Sequence, residues 1–439
     1  MSGSDASSQV GDRIVALGHW ARALRLADVP DDVQRLARLQ LAHVGARVAE
    51  AHAAGVESLA LAGRDAATYA EFDGDGHIYG GRTGVGVAVL REAAGGGATV
   101  GDLVLAVVVG MEIGARIGLA TLYSDRLTAS SPGPGAATGA AALARLGGAD
   151  GDAIAAAVVG ALNLARPGAT GAAFGTGVVE AALGGAAGRG GTDAGILWRD
   201  VAEPLPDVLV APSGGAGWLT RSLVLPRLCA PPALATVLEG LDEILKRHFK
   251  AADKRLRAEQ VERIEVRLCL PAWASEQVRP QAPDLIGRLV AFHALGVAER
   301  TASDERAAEV AAVAERVEVL HDVVLTAGFA RSCGAAVGAL NLRRMMAVRG
   351  LLRHAGAWPA LGLADVGGVV RARPDRLFRA APAGGGVAPL VWPVQIKLYT
   401  TRGGWWPERR ERAESVDADP VAPFDGPLAS PAGPLLGAA

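Results

Sequence analysis

The chain has 439 residues, half of them apolar and only 4% aromatic, so its core must be built mainly from Ala, Val and Leu. The 44 basic and 46 acidic residues nearly balance, which argues against a nucleic-acid partner or a membrane surface. The length suffices for two domains. Many of the 58 glycines are expected at loops and helix ends.

The positions of the cysteines and the sequence of the N-terminus favour a cytoplasmic location. Cys229, Cys269 and Cys333 lie far apart, which argues against a zinc site or a disulfide framework and fits a reducing cytoplasm. The first residues lack the basic and apolar segments of a signal peptide. We therefore expect a cytoplasmic protein without a metal site.

Apolar residues at helical spacing predict that the first third of the chain is helical. Residues 12–27 carry one stripe, and a second stripe follows Pro30, which suits the first turn of a helix. The second stripe consists of Val33, Leu36, Leu39 and Val44. The sequence AEFDGDGHIYGGRTG, residues 70–84, predicts a loop without regular structure. Further helices are predicted at 85–95, 102–120, 134–147 and 151–164.

Residues 103–122 are apolar enough to raise the question of a membrane span. Glu112 and Arg116 interrupt this segment at a spacing at which they can pair on one helix. Because charged groups are costly in lipid, the segment is predicted to be a buried helix, not a membrane span.

The pattern changes after about residue 220. Alternating apolar residues predict strands at 259–270 and 392–400, with a shorter alternation at Val317 and Val319. Helices are predicted at 232–250, 284–298, 305–315 and 335–354. The predicted organisation is a helical domain at 1–222, an α+β domain at 223–413 and a disordered tail at 414–439.

Several passages resemble the MmgE/PrpD family. The segment GDLVLAVVVGMEIGARIGLA, with Glu112 and Arg116, is similar to a family helix, and GAAALARLGGAD at 139–150 is similar to another. AEFDGDGH at 70–77 stands where the family has an aspartate-rich loop, and VERIEVRL resembles the first strand of its smaller domain. The matches occur in the family's order and cover residues 10–320.

The resemblance implies a mostly α fold with a large all-helical domain and a smaller α+β lid. It also implies a homodimer with its active site between the domains. Known members dehydrate, decarboxylate or epimerise small polycarboxylates without a metal or an organic cofactor. Such reactions need an acid or base near the substrate, and cations to neutralise its carboxylates.

This chain departs from the family at the expected cationic positions. Residues 81–84 read GRTG where a His-Pro pair is typical, and residues 128–132 lack a histidine. Neither segment that should provide a lysine contains one; Arg227 stands in the second, and arginine is a poor acid or base. These losses predict a substrate with less negative charge than a tricarboxylate.

The residues that remain give the candidate site. The catalytic candidates are Asp73, Asp75 and His77. The substrate-binding candidates are Tyr79, Arg82, Thr83, Ser130, Ser131 and Arg227. The two aspartates either form an acid/base set with the histidine or stiffen a Gly-rich loop, and both interpretations stay open. His43 is interpreted as a packing or surface group.

Two functions are consistent with these observations. The first is a cofactor-independent lyase, isomerase or cyclase that acts on a weakly charged carbonyl compound of specialised metabolism. The second is a non-catalytic binding or partner subunit that keeps the family's scaffold. Trp405–Trp406 covers either an apolar face of the smaller domain or a ligand, and packing is the favoured interpretation.

Overall fold

The architecture of the chain is given by a computed structural model. It describes residues 3–53, 55, 64–71, 76–78, 81–94, 98–120, 132–165, 172–191, 209–213, 217–225, 232–248, 256–269, 272–273, 285–297, 303–322, 324–326, 328–329 and 391–410. The predicted fold class is confirmed, because the protein is mostly α with a small α+β part.

The described residues form two compact units. The helical unit lies within Met1–Cys229, and the α+β unit lies within Ala230–Ala381 and Val391–Glu414. The division falls a few residues after the expected boundary at 222. The expected tail at 414–439 and the helix predicted at 335–354 lie outside the described residues.

The helical unit contains eight described α-helices and one two-stranded hairpin. Its elements are α1 (Gly3–Ala23), α2 (Asp31–Ala53), α3 (Arg64–Glu71), β1 (His77–Ile78), β2 (Gly81–Arg82), α4 (Thr83–Ala93), α5 (Val100–Ala120), α6 (Pro132–Leu146), α7 (Gly151–Leu164) and α8 (Ala172–Ala186). The hairpin corrects the prediction of an irregular loop at 70–84, since β1 and β2 pair as antiparallel strands in this segment.

Glycines inside helices let the helices of this unit pack closely. A Cβ on Gly114 of α5 would lie 1.9 Å from Thr138 Oγ1 of α6, and one on Gly110 would lie 2.5 Å from the Thr138 carbonyl oxygen. In α4, a Cβ on Gly86 would lie 2.4 Å from the carbonyl oxygen of Gly135. Glycine is needed at these positions because the helix backbones are in contact. The expectation that glycines occur at loops and helix ends therefore accounts for only some of them.

The helix α5 is long and apolar enough to cross a membrane, but its most apolar stretch is entirely buried in the protein. This confirms the prediction of a buried helix. The predicted pair of Glu112 and Arg116 also forms within it.

The buried stripe of α2 differs from the predicted one. Leu36 and Leu39 are only half-buried, whereas the fully buried positions run along a face rotated from theirs. The buried residues of α2 are Val33, Ala37, Gln40, Leu41, His43, Val44, Val48 and Ala51. A glutamine therefore stands in the middle of an otherwise mainly apolar face.

The α+β unit is built around a four-stranded sheet in the order β4-β3-β5-β6. Its described elements are α9 (Pro232–His248), β3 (Val261–Leu268), α10 (Leu285–Leu295), α11 (Asp304–Ala314), β4 (Val317–His321), β5 (Val394–Thr400) and β6 (Gly404–Arg410). Strands β3 and β4 are parallel, and the other pairs are antiparallel. Ile264, Val266 and Leu268 are fully buried, which confirms the strand predicted from their alternation.

Strand β6, which the sequence did not predict, carries the two tryptophans. Trp405 is 57% exposed and stacks on Tyr399 at a ring-centroid distance of 6.4 Å. The guanidinium of Arg263 lies 4.3 Å above the Tyr399 ring. Trp405 thus packs on a neighbouring strand with one side of its ring exposed, because alternation on an edge strand turns its side chain outward. Trp406 is half-buried.

Candidate functional site

A buried polar cluster surrounds the start of the β1–β2 hairpin, and we call it the Gly76 corner. It consists of Gln40, His43, Tyr69, Gly76 and His77. Helix α2 provides the glutamine and His43, α3 provides the tyrosine, and β1 carries His77 directly after the glycine. All four side chains are buried in the helical unit.

The main chain of Gly76 is held from both sides. Its N–H donates to Tyr69 Oη over 3.1 Å. Its carbonyl accepts from the N–H of Gly84 over 3.0 Å and from Thr83 Oγ1 over 3.5 Å. A side chain at this position has no room, because a Cβ would lie 2.1 Å from Gln40 Oε1. The glycine thus brings the end of α3, the hairpin and the start of α4 together.

His77 is a buried histidine, with 4% of its surface exposed. Its N–H and carbonyl exchange two hydrogen bonds of 3.0 Å with Val224. It stands opposite Arg82 in the register of the hairpin. The main chain of His77 is therefore held at both edges of its short strand, which fixes the position of its Cα, and a positioned acid or base needs such a fixed attachment point.

Arg82 and Thr83 are also buried, with exposures of 8% and 0%. They form the junction between β2 and α4. The structure therefore brings three of the predicted residues together, with His77 and Arg82 in the hairpin and Thr83 at the start of α4. The other predicted residues, Asp73, Asp75, Tyr79, Ser130, Ser131 and Arg227, lie outside the described residues.

Sequence reasoning missed Gln40, His43 and Tyr69. The interpretation of His43 as a packing group is confirmed, since it is buried and its ring lies 6.4 Å from the Tyr69 ring, edge to face. Its Nε2 also accepts a hydrogen bond of 3.4 Å from Arg47. A signal was present in the sequence: a stripe through residues 33, 37, 40, 44 and 48 has helical spacing and includes the glutamine.

Helix α3, which carries Tyr69, is anchored at its other end by Glu92 of α4. The carboxylate accepts a hydrogen bond of 3.1 Å from the N–H of Ala66, in the first turn of α3. Burial raises the pKa of Glu92 above its ordinary value, and the nearby Asp65 acts in the same direction. Hydrogen bonds from the main chain oppose this rise.

Glu112 and Arg116 form a second buried polar region, which we call the α5 ion pair. The carboxylate accepts from Arg116 Nη1, from the N–H and Oγ1 of Thr220 at 2.7 and 2.6 Å, and from the N–H of Leu219 at 3.2 Å. The guanidinium also donates to the carbonyls of Val210 and Gly217, at 2.6 and 2.8 Å. This pair holds the 3-10 helix Leu219–Ser222 and the segments that carry Val210 and Gly217 against α5.

Two arginines of the helical unit stabilise its own structure. Arg116 is bound as described above, and Arg221 pairs with Asp32 at 2.7 Å. The first lysine of the sequence is Lys246, after the helical unit. Within the described ranges, no group of three or more His, Cys, Asp or Glu side chains is arranged to hold a metal ion.

A pocket of about 330 Å³ opens elsewhere in the helical unit, where α4, α5 and α6 meet. Two charged side chains, Asp102 and Arg145, are among its lining residues. Asp102 accepts from Thr99 Oγ1 over 2.6 Å, and Arg145 donates to the carbonyl of Leu24 over 3.2 Å. Because both charges hold helix ends and none of the predicted residues lines this pocket, we place the candidate site at the Gly76 corner.

Comparisons with protein-family models and with curated proteins find no match to this chain.

Proposed function

We propose that the chain is a divergent MmgE/PrpD-like enzyme that converts a weakly charged carbonyl compound without a cofactor. The reaction is an elimination, isomerisation or cyclisation in natural-product biosynthesis. The observation that supports it best is the buried His77, fixed between Val224 and Arg82 in a polar corner of a mainly apolar unit.

The chemistry begins with removal of a proton from the carbon next to the substrate carbonyl. The imidazole of His77 accepts this proton, and the electron pair moves into the carbonyl to give an enolate. Return of the proton at another position gives an isomer, and departure of a neighbouring group gives elimination. Histidine suits both transfers because its ordinary pKa lies near neutrality. Asp73 and Asp75 are assigned to the same acid/base set from the sequence alone.

The distribution of charge supports a substrate with few carboxylates. Binding of a tricarboxylate calls for several cations converging on one site. The helical unit has no lysine, and Arg116 is saturated by its own carboxylate and carbonyl partners. Arg82 is the arginine opposite His77 in the hairpin register, and we assign it to a single polar group of the substrate.

Proton exchange in heavy water tests the proposal. Cyclohexanone is the neutral probe, and proton NMR follows the loss of its α-proton signal. We expect exchange above the protein-free rate with the wild-type chain, and at least a tenfold reduction in Asp75→Asn and in His77→Asn. Circular dichroism establishes that each variant is folded.

Two results would contradict the proposal. One is exchange by the wild-type chain no faster than in buffer; the non-catalytic binding subunit would then be the better function. The other is equal exchange in wild type and both folded variants. Tight binding or turnover of propane-1,2,3-tricarboxylate would contradict the assigned substrate class. The homodimer stays a prediction, which light scattering on the purified protein checks.

A further inference from the structure

Gln40 is the least satisfied polar side chain of the Gly76 corner. It is fully buried, and neither its Oε1 nor its Nε2 has a hydrogen-bond partner in the part of the chain that the structure describes. Buried polar groups in native proteins are nearly always paired, because an unpaired group loses its bonds to water without compensation. An amide left unpaired at both atoms therefore needs an explanation.

Among the described residues, the main chain next to this amide already has other partners. The N–H of Gly76 is bound to Tyr69 Oη, and its carbonyl is bound to Gly84 and Thr83. The N–H and carbonyl of His77 are both used by Val224. The donors and acceptors closest to the amide along β1 are thus engaged elsewhere, although Gln40 Oε1 lies against Gly76.

Helix formation and packing do not require a glutamine here either. Methionine has nearly the same length and helix propensity and carries no group that must be paired. The neighbouring buried positions of the same face, Ala37 and Val44, are apolar. A residue that breaks a local rule of stability without structural gain is typical of a functional position.

We propose that Gln40 is a ligand-binding residue of the Gly76 corner, whose amide recognises the carbonyl oxygen of a neutral small molecule. Nε2 donates to that oxygen, and Oε1 accepts from a hydroxyl or enol of the same molecule. Because the amide is uncharged, it satisfies a ketone or ester but does not compensate a buried carboxylate. The identification of this molecule with the substrate rests on the proposed function above.

The absence of a side chain at Gly76 belongs to the same arrangement. A Cβ there would lie 2.1 Å from Gln40 Oε1 and 2.9 Å from Leu225 Cδ2, so it would push the amide out of place. His77 follows Gly76 directly in the chain, and the proposed function assigns to it the base that would act on a carbonyl held by the amide.

A pair of glutamine variants on α2 tests the inference. Gln40→Met removes the unpaired amide, and Gln34→Met is the matched control, because Gln34 Nε2 donates to the carbonyls of Leu26 and Val29 at 3.1 and 2.9 Å. Ligand-observed NMR measures the Kd for cyclohexanone, and thermal unfolding measures stability. We expect Gln40→Met to bind at least tenfold more weakly with an equal or higher Tm. Gln34→Met should keep the affinity and lose Tm.

Each contrary result overturns the inference. Unchanged affinity in Gln40→Met, or no binding by the wild-type chain, shows that the amide does not hold the probe. A Tm loss in Gln40→Met as large as that in Gln34→Met shows that the amide stabilises the fold, for example through a fixed water. Binding that depends on Gln40 without α-proton exchange would sink the proposed reaction and leave this inference standing.

Discussion

The helical unit contains two buried polar regions that differ in how completely their groups are paired. In the α5 ion pair, Glu112 accepts four hydrogen bonds, and Arg116 donates hydrogen bonds to two carbonyls distant in sequence. In the Gly76 corner, Gln40 is equally buried, yet both amide atoms are unpaired among the described residues. The polar groups of the α5 ion pair stabilise the fold. The amide of Gln40 in the Gly76 corner can still form hydrogen bonds with a ligand.

This difference distinguishes buried polar groups that stabilise the fold from buried polar groups that can bind a ligand. A fully paired ion pair is costly to break from either side but offers nothing to a ligand. An unpaired amide lowers stability and can recover that loss only by binding something. The E-x-x-x-R pattern that resembles the family is thus a structural feature, and the less conspicuous α2 position is the better functional candidate.

The largest effect is expected from Arg116→Met, which leaves the Glu112 carboxylate buried without its cation. We expect a loss of about 3–5 kcal/mol in the free energy of unfolding. Urea denaturation measures it. Arg221→Met is the matched control: its partner Asp32 is 45% exposed, so the loss should be at most about 1 kcal/mol. Equal losses in the two variants would show that the buried α5 ion pair contributes no more to stability than the exposed pair.

Thr220→Val tests the same region more gently. It removes the hydroxyl that donates to Glu112 over 2.6 Å and keeps the shape of the side chain. Since hydrogen bonds to charged groups contribute about 1.5–3 kcal/mol, we expect a destabilisation in that range. If Gln40→Met raises the free energy of unfolding in the same urea experiment while Thr220→Val lowers it, the two regions differ as proposed. If both variants lower it, the proposed difference is wrong.

Gly76→Ala tests the packing of the corner. Its Cβ would meet Gln40 Oε1 at 2.1 Å in a closed interior, and overpacking of this kind costs about 1–3 kcal/mol. Gly177→Ala is the control, because its Cβ would meet nothing within 4 Å in α8. That variant should gain up to about 1 kcal/mol from helix propensity. A neutral Gly76→Ala would mean that the amide moves aside freely, contrary to a fixed binding geometry.

The smallest effect is expected from Glu92→Gln, and it depends on pH. Burial raises the pKa of Glu92 in the folded chain. Between the unfolded and folded pKa values the native state binds more protons, so stability falls as pH rises through that window. The glutamine at position 92 has no charge to bury, so the variant should have a higher free energy of unfolding than wild type at neutral pH, as measured by urea denaturation. The advantage should vanish below pH of about 4, where unfolded glutamates are protonated as well. A gain that persists there would point to a cause other than titration.

Much of the fold could be predicted from local patterns. The strand at Val261–Leu268 follows from strict alternation, because one face of the sheet is buried. The helix at Gly151–Leu164 has the predicted bounds, since the Asp150 side chain accepts from the N–H of Ala153 and fixes its start. The pairing of Glu112 with Arg116 follows from their spacing on one helix. Each of these features depends on contacts between near neighbours in the sequence.

The candidate site was only partly predictable. His77, Arg82 and Thr83 could be singled out because they stand in one short segment, which forms the hairpin and the first residue of α4. Gln40 and Tyr69 approach Gly76 from other helices, and nothing in the segments around them indicates that meeting. The predicted stripe of α2 ran through Leu36 and Leu39, because apolarity alone cannot show which face of a mainly apolar helix becomes the core.

The sequence by itself determined the fold class, most of the described helices, the strands β3, β4 and β5, and a chain poor in the cations that a polyanionic substrate needs. Only the tertiary structure decided that Thr220 pairs with Glu112 and that Gly76 lies close to an amide that has no partner among the described residues. The reason is physical. Helix and strand periodicity is set within a few residues, whereas hydrogen-bond satisfaction in the interior depends on which distant groups close packing brings together.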